Sequence, residues 1–161
     1  MTAYRKRHSC ETTLLRLVED WKQAVDKNQL ISILTTDMSK AFDVLSHSLI
    51  IKNLEAYGFS SCSINLMRSF FEYRQNIVKF NDITSEWKNM ERGRAQGSSL
   101  GPHLWNLFQN DLSLHVKHAN LTMYADDHQL YVMGNNYEIV GSRQKAQGQL
   151  ASTWYKNNFL L

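Results

Sequence analysis

The stretch Leu121-Thr122-Met123-Tyr124-Ala125-Asp126-Asp127-His128-Gln129-Leu130-Tyr131-Val132-Met133 decides the fold. Two apolar runs, 121–125 and 129–133, flank a short acidic break. The pattern predicts a β-hairpin whose tight turn carries adjacent carboxylates. A further strand is read at Ile31-Ser32-Ile33-Leu34-Thr35-Thr36, which is β-rich and bounded by Asn28 and Asp37.

Helical spacing surrounds these strands. Leu14, Val18, Trp21 and Val25 predict a helix over about 12–26. Ser46 can cap a second helix with Leu49, Ile50, Leu54 and Tyr57 on one face, stopped at Gly58. Ser61 or Ser63 can start a third, carrying Ile64, Met67, Phe70 and Phe71. Segments 75–80 and 83–90 read as strands joined at Asn81-Asp82. After a Gly/Ser-rich loop over 93–101, Pro102 sits where a helix can begin, continued by Leu104, Phe108 and Leu112. A last helix over about 137–158 carries Val140, Leu150 and Trp154, weakened by Gly141 and Gly148. Strands and helices mix without a βαβ rhythm, so the class is α+β.

Composition narrows the function classes. The chain has 161 residues, 43% hydrophobic and 20% charged, which suits a packed core and argues against disorder. Cys10 and Cys62 are too few for a disulfide framework and lack the paired spacing of a zinc site, so a reducing compartment is the default. No apolar run approaches the roughly 20 residues that span a membrane, and no secretory signal is visible. The expected location is intracellular, nucleus or cytoplasm, with no membrane partner. A net charge of +3 permits a nucleic-acid partner without requiring one.

Asp37 closes the first strand, and Asp126 and Asp127 sit at the hairpin tip. Like charges side by side are costly unless solvated or shared with a cation, and hard cations choose carboxylates. Asp is also common at turns and strand ends, so position alone leaves an ordinary structural role open. The loop 94–102 is open in the same way: its glycines allow close backbone approach, and Gln96 can bond a base or sugar, yet most such loops only connect.

Taken together, the segments resemble the reverse transcriptases of non-LTR (LINE-type) retrotransposons. Thr35-Thr36-Asp37-Met38-Ser39-Lys40-Ala41-Phe42-Asp43 resembles their first palm motif. Gln96-Gly97-Ser98-Ser99-Leu100-Gly101-Pro102 resembles the loop-helix motif, and Tyr124-Ala125-Asp126-Asp127 the metal-binding hairpin. Leu54-Glu55-Ala56-Tyr57-Gly58-Phe59, Asn110-Asp111-Leu112 and Gln129-Leu130-Tyr131 agree, as does Arg5-Lys6-Arg7-His8-Ser9 before the first motif. The resemblance implies a polymerase palm, an antiparallel sheet with helices on one face, over about 31–161, and a remnant of the fingers over about 1–30. It implies an RNA-directed DNA polymerase that uses two Mg²⁺ ions, or Mn²⁺ in their place, with an RNA template, a DNA primer and deoxynucleoside triphosphates. Asp37 and Asp126 would be the main metal ligands and catalytic carboxylates, with Asp127 ranked below them because neighbouring strand residues alternate faces. Phe42 would be the steric gate against a 2′-hydroxyl. Gln96 and Gly97 would border the incoming nucleotide and template.

The sequence departs from the family pattern at Arg94 and Ala95, where Pro normally precedes the Gln. Its loss frees the loop by about 0.4–1 kcal/mol of unfolded-chain entropy. A thumb, its preceding Asn/Lys strand and most of the fingers are expected to lie outside these 161 residues. The alternative is therefore a catalytically inactive retrotransposon remnant with at most nucleic-acid or partner binding. A third option, an RNA-binding module, needs exposed aromatics on the sheet, with Tyr124 and Tyr131 as the candidates. Trp21, Trp87, Trp105 and Trp154 are read as core, and Arg68 and Arg74 as surface.

Overall fold

A computed structural model describes residues 3–38, 41–93 and 97–160. The element order is α1 (Cys10–Asp26), β1 (Leu30–Thr36), α2 (Ala41–Val44), α3 (His47–Ala56), α4 (Ser61–Phe71), β2 (Gln75–Asn76), β3 (Lys79–Phe80), β4 (Ile83–Thr84), β5 (Lys88–Asn89), α5 (Leu100–Gln109), α6 (Leu112–His115), β6 (Asn120–Tyr124), β7 (Asp127–Gly134) and α7 (Tyr137–Asn157). The α+β reading holds. The expected hairpin is β6–β7, closed by a two-residue loop, Ala125-Asp126, between the pair Tyr124 and Asp127.

The main sheet is antiparallel, in the order β1-β7-β6. β7 is central, and its partners run from Leu30 opposite Gly134 to Thr36 opposite His128. Opposed residues share a face. One face therefore carries Leu34, Thr36, Leu121, Met123, His128 and Leu130, and the other Ile33, Thr35, Thr122, Gln129 and Tyr131.

The first of these faces meets the main core. Trp105, Phe108, Leu112, Leu130, Ala151 and Trp154 are all buried there, with α5, α6 and α7 behind the sheet. α7 lies close because Gly148 faces β1: a Cβ there would stand 3.1 Å from Leu34 Cδ2. Gly148 thus serves packing, at some cost to helix propensity. The second face is covered in part by α1, with Ile33 and Thr35 left exposed. The Tyr131 hydroxyl donates to Asp20 Oδ2 at 2.6 Å, and Trp21 meets the Tyr131 ring edge-on at 6.1 Å. Helices therefore pack on both faces, which corrects the expectation of one covered face. Tyr131 explains it, since its apolar ring and polar tip need a partner on the α1 side.

Other expectations shift in detail. The buried stripe of α1 is Thr13, Leu17 and Ala24, while Leu14, Val18 and Val25 are exposed. The helix is rotated about one residue from the predicted face. Ser9 caps it in a box with Thr12, at 2.9 and 3.2 Å. Leu112 belongs to a separate helix, α6, because α5 ends at Gln109. The predicted strands over 75–80 and 83–90 are two short ladders, β2 with β5 and β3 with β4, around Asn81 at φ +51°. Trp87, between β4 and β5, is 62% exposed, which corrects its assignment to the core. Flanking ladders of two residues give it no layer to pack under.

Candidate active site

Asp37 follows the last residue of β1. Continuing the register one step beyond Thr36 and His128 sets Asp37 opposite Asp127, the first residue of β7. Antiparallel neighbours bring opposed Cα atoms to about 4.5–5.5 Å. Both carboxylates line a cavity of about 420 Å³ between the sheet and the first turns of α1. Thr35, Thr122, Tyr124 and Gln129 complete its sheet wall, and Cys10, Thr13, Leu14 and Leu17 its helix wall.

Asp126 sits half-buried in the turn and is not part of this wall. Alternation of faces separates the two neighbours, as the sequence suggested, but it is Asp127 that shares the cavity with Asp37. Among the described residues no group of three or more His, Cys, Asp or Glu comes together to hold a metal. A carboxylate pair is nevertheless a fitting donor set for Mg²⁺, which commonly takes one or two protein carboxylates and completes its shell with water and substrate phosphates.

The hairpin tip is held from behind. The Trp105 indole N–H donates to the Ala125 carbonyl at 2.8 Å. Ala125 has φ +54°, a conformation uncommon for a residue with a Cβ. Beneath the pair, His128 is fully buried. Its Nε2 donates to Gln109 Oε1 at 2.8 Å, and its Nδ1 accepts from the Tyr155 hydroxyl at 3.0 Å. Tyr155 in turn accepts from the Thr36 hydroxyl at 3.0 Å. Burial drives the His128 pKa down to about 4 and pushes the Tyr155 phenol up. One hydroxyl on α7 thus ties together Thr36 and His128, the register pair just behind Asp37 and Asp127.

Phe42, on α2, is half-buried and leans on Trp105 at 5.1 Å with a 58° tilt. It packs at the edge of the core, about five residues beyond Asp37 in sequence. Gly97 is exposed at φ +79° with open space where a Cβ would stand, so its backbone conformation rather than a close neighbour calls for glycine. Gln96, with Arg94 and Ala95, lies outside the described residues. Gln129 was missed from the sequence. Its Oε1 is buried without a hydrogen-bond partner, and the residue lines the cavity. Counting in twos from Asp127 would have found it. Trp105 and Tyr155 leave no comparable sequence signal, because an aromatic at helical spacing reads as core.

Tyr131 is 2% exposed under α1, so the aromatic platform required by an RNA-binding module is not available from it. Arg68 pairs with Glu55 at 2.8 Å, and Arg74 donates to the Gly93 carbonyl at 3.3 Å. Among the described residues no helix is long and apolar enough to cross a membrane.

Comparison with known proteins agrees with the family resemblance of the sequence. The family model described as reverse transcriptase (RNA-dependent DNA polymerase) matches residues 1–158. The "Probable RNA-directed DNA polymerase from transposon BS" of Drosophila melanogaster is 30% identical over 139 residues, 82% of this chain and 15% of that protein. The RNA-directed DNA polymerase from mobile element jockey of Drosophila funebris is 28% identical over 131 residues, 77% of this chain and 14% of that protein. The chain thus spans about one seventh of these relatives. Among solved structures, apo telomerase from Candida tropicalis superposes with a TM-score of 0.68 at 14% identity, over 93% of this chain and 30% of that one. That likeness concerns the fold. With the family model spanning nearly every residue, the chain belongs to the reverse transcriptase (RNA-dependent DNA polymerase) family, with relatives among the polymerases of non-LTR retrotransposons.

Proposed function

We propose that this chain carries the polymerising centre of an RNA-directed DNA polymerase, extending a DNA primer on an RNA template with deoxynucleoside triphosphates. The observation that carries the reading is that Asp37, one register step beyond the Thr36–His128 pair, lines the same cavity as Asp127. In this reading residues 31–161 are the palm and residues 1–30 a remnant of the fingers.

Asp37 and Asp127 would hold the divalent cations, and Asp126, next to Asp127 in the turn, would support them. Two Mg²⁺ ions, or Mn²⁺ in their place, would acidify the primer 3′-hydroxyl and neutralise charge on the triphosphate. The chain's own groups do the positioning. Gln129 lines the cavity beside the two carboxylates. Phe42, braced by Trp105, is the wall under the sugar that rejects a 2′-hydroxyl. Gln96 and Gly97 would border the incoming nucleotide, and the open space at Gly97 leaves room for it. α1 closes the cavity from the other side.

The test combines Mn²⁺ binding, followed by electron paramagnetic resonance, with incorporation of labelled dTTP on poly(rA)–oligo(dT). Asp37→Asn and Asp127→Asn should each weaken Mn²⁺ binding at least tenfold and abolish incorporation. Unchanged Mn²⁺ affinity in both variants overturns the reading. A second reading, a non-catalytic remnant that retains binding, draws on the lack of any three-ligand cluster among the described residues. Mn²⁺ binding without incorporation by the unmodified chain would favour it.

A further inference from the structure

We propose that Trp105 is a positioning residue for the acidic turn: its indole N–H holds the Ala125 carbonyl, and through it the strained peptide that presents Asp126 and Asp127. The inference rests on the reading of Asp37 and Asp127 as the cation-binding pair.

The hairpin loop contains only Ala125 and Asp126, between the opposed residues Tyr124 and Asp127. Positive φ at the first position of such a loop is usually met by glycine. Here a Cβ-bearing residue takes it, at +54°. Something must hold that conformation, because Ala125 left to itself favours negative φ. Trp105 is the visible restraint. It is a donor-only side chain with a single N–H, and that N–H is directed at Ala125 O at 2.8 Å.

The geometry makes this restraint specific. The Ala125 carbonyl lies in the peptide plane that joins Ala125 to Asp126. A bond to that oxygen restrains the tilt of the plane, which couples ψ of Ala125 to φ of Asp126, and so bears on the direction in which the acidic turn leaves the hairpin. Trp105 can serve as an anchor because it has no exposed surface and is wedged against Phe42 at 5.1 Å and Phe108 at 6.0 Å. The same indole therefore braces the aromatic beneath the sugar site and the turn that carries the acids. A shift of the ring would reach both at once.

Three variants of the 161-residue chain test it: Trp105→Phe, Ala125→Gly and the double variant. Phe keeps the aromatic packing and deletes the donor. Gly at 125 adopts positive φ without a restraint. Trp105→Phe should raise the Mn²⁺ dissociation constant about tenfold, as loss of an orienting partner does at other metal sites. Adding Ala125→Gly should recover part of that loss. In metal-free thermal unfolding, Ala125→Gly should stabilise the Trp105→Phe background more than the unmodified one. Additive effects in unfolding, or full Mn²⁺ affinity in Trp105→Phe, overturn the proposal. If the unmodified chain takes no Mn²⁺, the polymerase reading falls, while the metal-free coupling still decides for or against the restraint. If Trp105→Phe does not fold, exchange of the indole N–H in the unmodified chain decides. Protection equal to that of the β7 amides supports the bond, and exchange within seconds overturns it.

Discussion

Behind the carboxylate pair, His128 is a base kept neutral by its surroundings. It is wholly buried, its two nitrogens are used by Gln109 and Tyr155, and burial lowers its pKa to about 4. In the unfolded chain the same imidazole titrates near 6.5. Above pH 6.5 both states hold it neutral and its contribution to stability is complete. As pH falls from 6.5 to 4 the unfolded state binds the proton first, so the native state loses up to about 3 kcal/mol. Urea unfolding at pH 7 and pH 4.5 should show that loss, and His128→Gln should flatten it. An equal loss in the variant would assign the slope to other groups. The Tyr155 hydroxyl is the matching partner. Tyr155→Phe leaves Nδ1 of His128 and the Thr36 hydroxyl short of a bond, at about 1–3 kcal/mol for a buried polar group left unpaired. Thr36→Val on top of it should add little, because the bond that hydroxyl makes is already gone. Independent effects in a double-mutant cycle would show that the three groups do not act as one clamp.

At the level of elements, α1 is the piece whose attachment is easiest to break selectively. A polar anchor on the sheet is the Tyr131–Asp20 bond; burial, and after it this bond, pushes the Tyr131 phenol up to about 12. Tyr131→Phe should cost about 1.5–3 kcal/mol, the range for hydrogen bonds to charged groups. Hydrogen exchange should then rise in α1 while β7 stays protected; uniform acceleration would mean that α1 is not a separable unit. A second weak point is Gly93, where the chain passes α2. At φ +86° a Cβ would stand 2.9 Å from the Asp43 carbonyl oxygen, against backbone that cannot swing away. Gly97, at φ +79°, has open space instead. Gly93→Ala should therefore destabilise by more than Gly97→Ala, which bears only the conformational penalty of about 1–2 kcal/mol. These contrasts also mark what the sequence can reveal. The strands around 31–36 and 121–133 were legible because β-branched and aromatic runs end at acidic breaks. The start of α3 was legible because Ser46 competes for free backbone N–H groups, whereas the caps Ser9 and Ser60 stand ahead of the starts read at about 12 and at Ser61 or Ser63. The face of α1 was misread because Leu14, Leu15, Leu17 and Val18 offer two overlapping stripes, and only Tyr131 on the sheet selects between them. In the site, Asp37, Asp126 and Asp127 stood out as charges at strand ends. Their relative placement depended on the register of β1 against β7, a long-range fact that no local pattern encodes.

For the molecule as a whole, the register that assembles the site also concentrates like charge within it. Asp37 and Asp127 are set side by side across two strands in a chain of net charge +3. Like charges opposed across strands destabilise a sheet by up to about 1 kcal/mol, and solvent at an exposed pair keeps the value toward the low end. In metal-free buffer Asp127→Asn should therefore raise the melting temperature, by about 1–2 °C for a domain of this size. A cation reverses the order. Mg²⁺ at ten times its dissociation constant stabilises the unmodified chain by about 1.4 kcal/mol, or about 3–6 °C. Asp127→Asn, lacking one carboxylate of the pair, should gain almost nothing. The two melting curves must then change places as Mg²⁺ is titrated, the variant more stable without it and the unmodified chain more stable with it. Neither a purely structural carboxylate pair nor a general salt effect produces that crossing: the first gives no Mg²⁺ dependence, and the second shifts both proteins alike. A variant that melts lower than the unmodified chain at every Mg²⁺ concentration would show that Asp127 serves the fold, and the cavity beside α1 would lose its claim to be the catalytic centre.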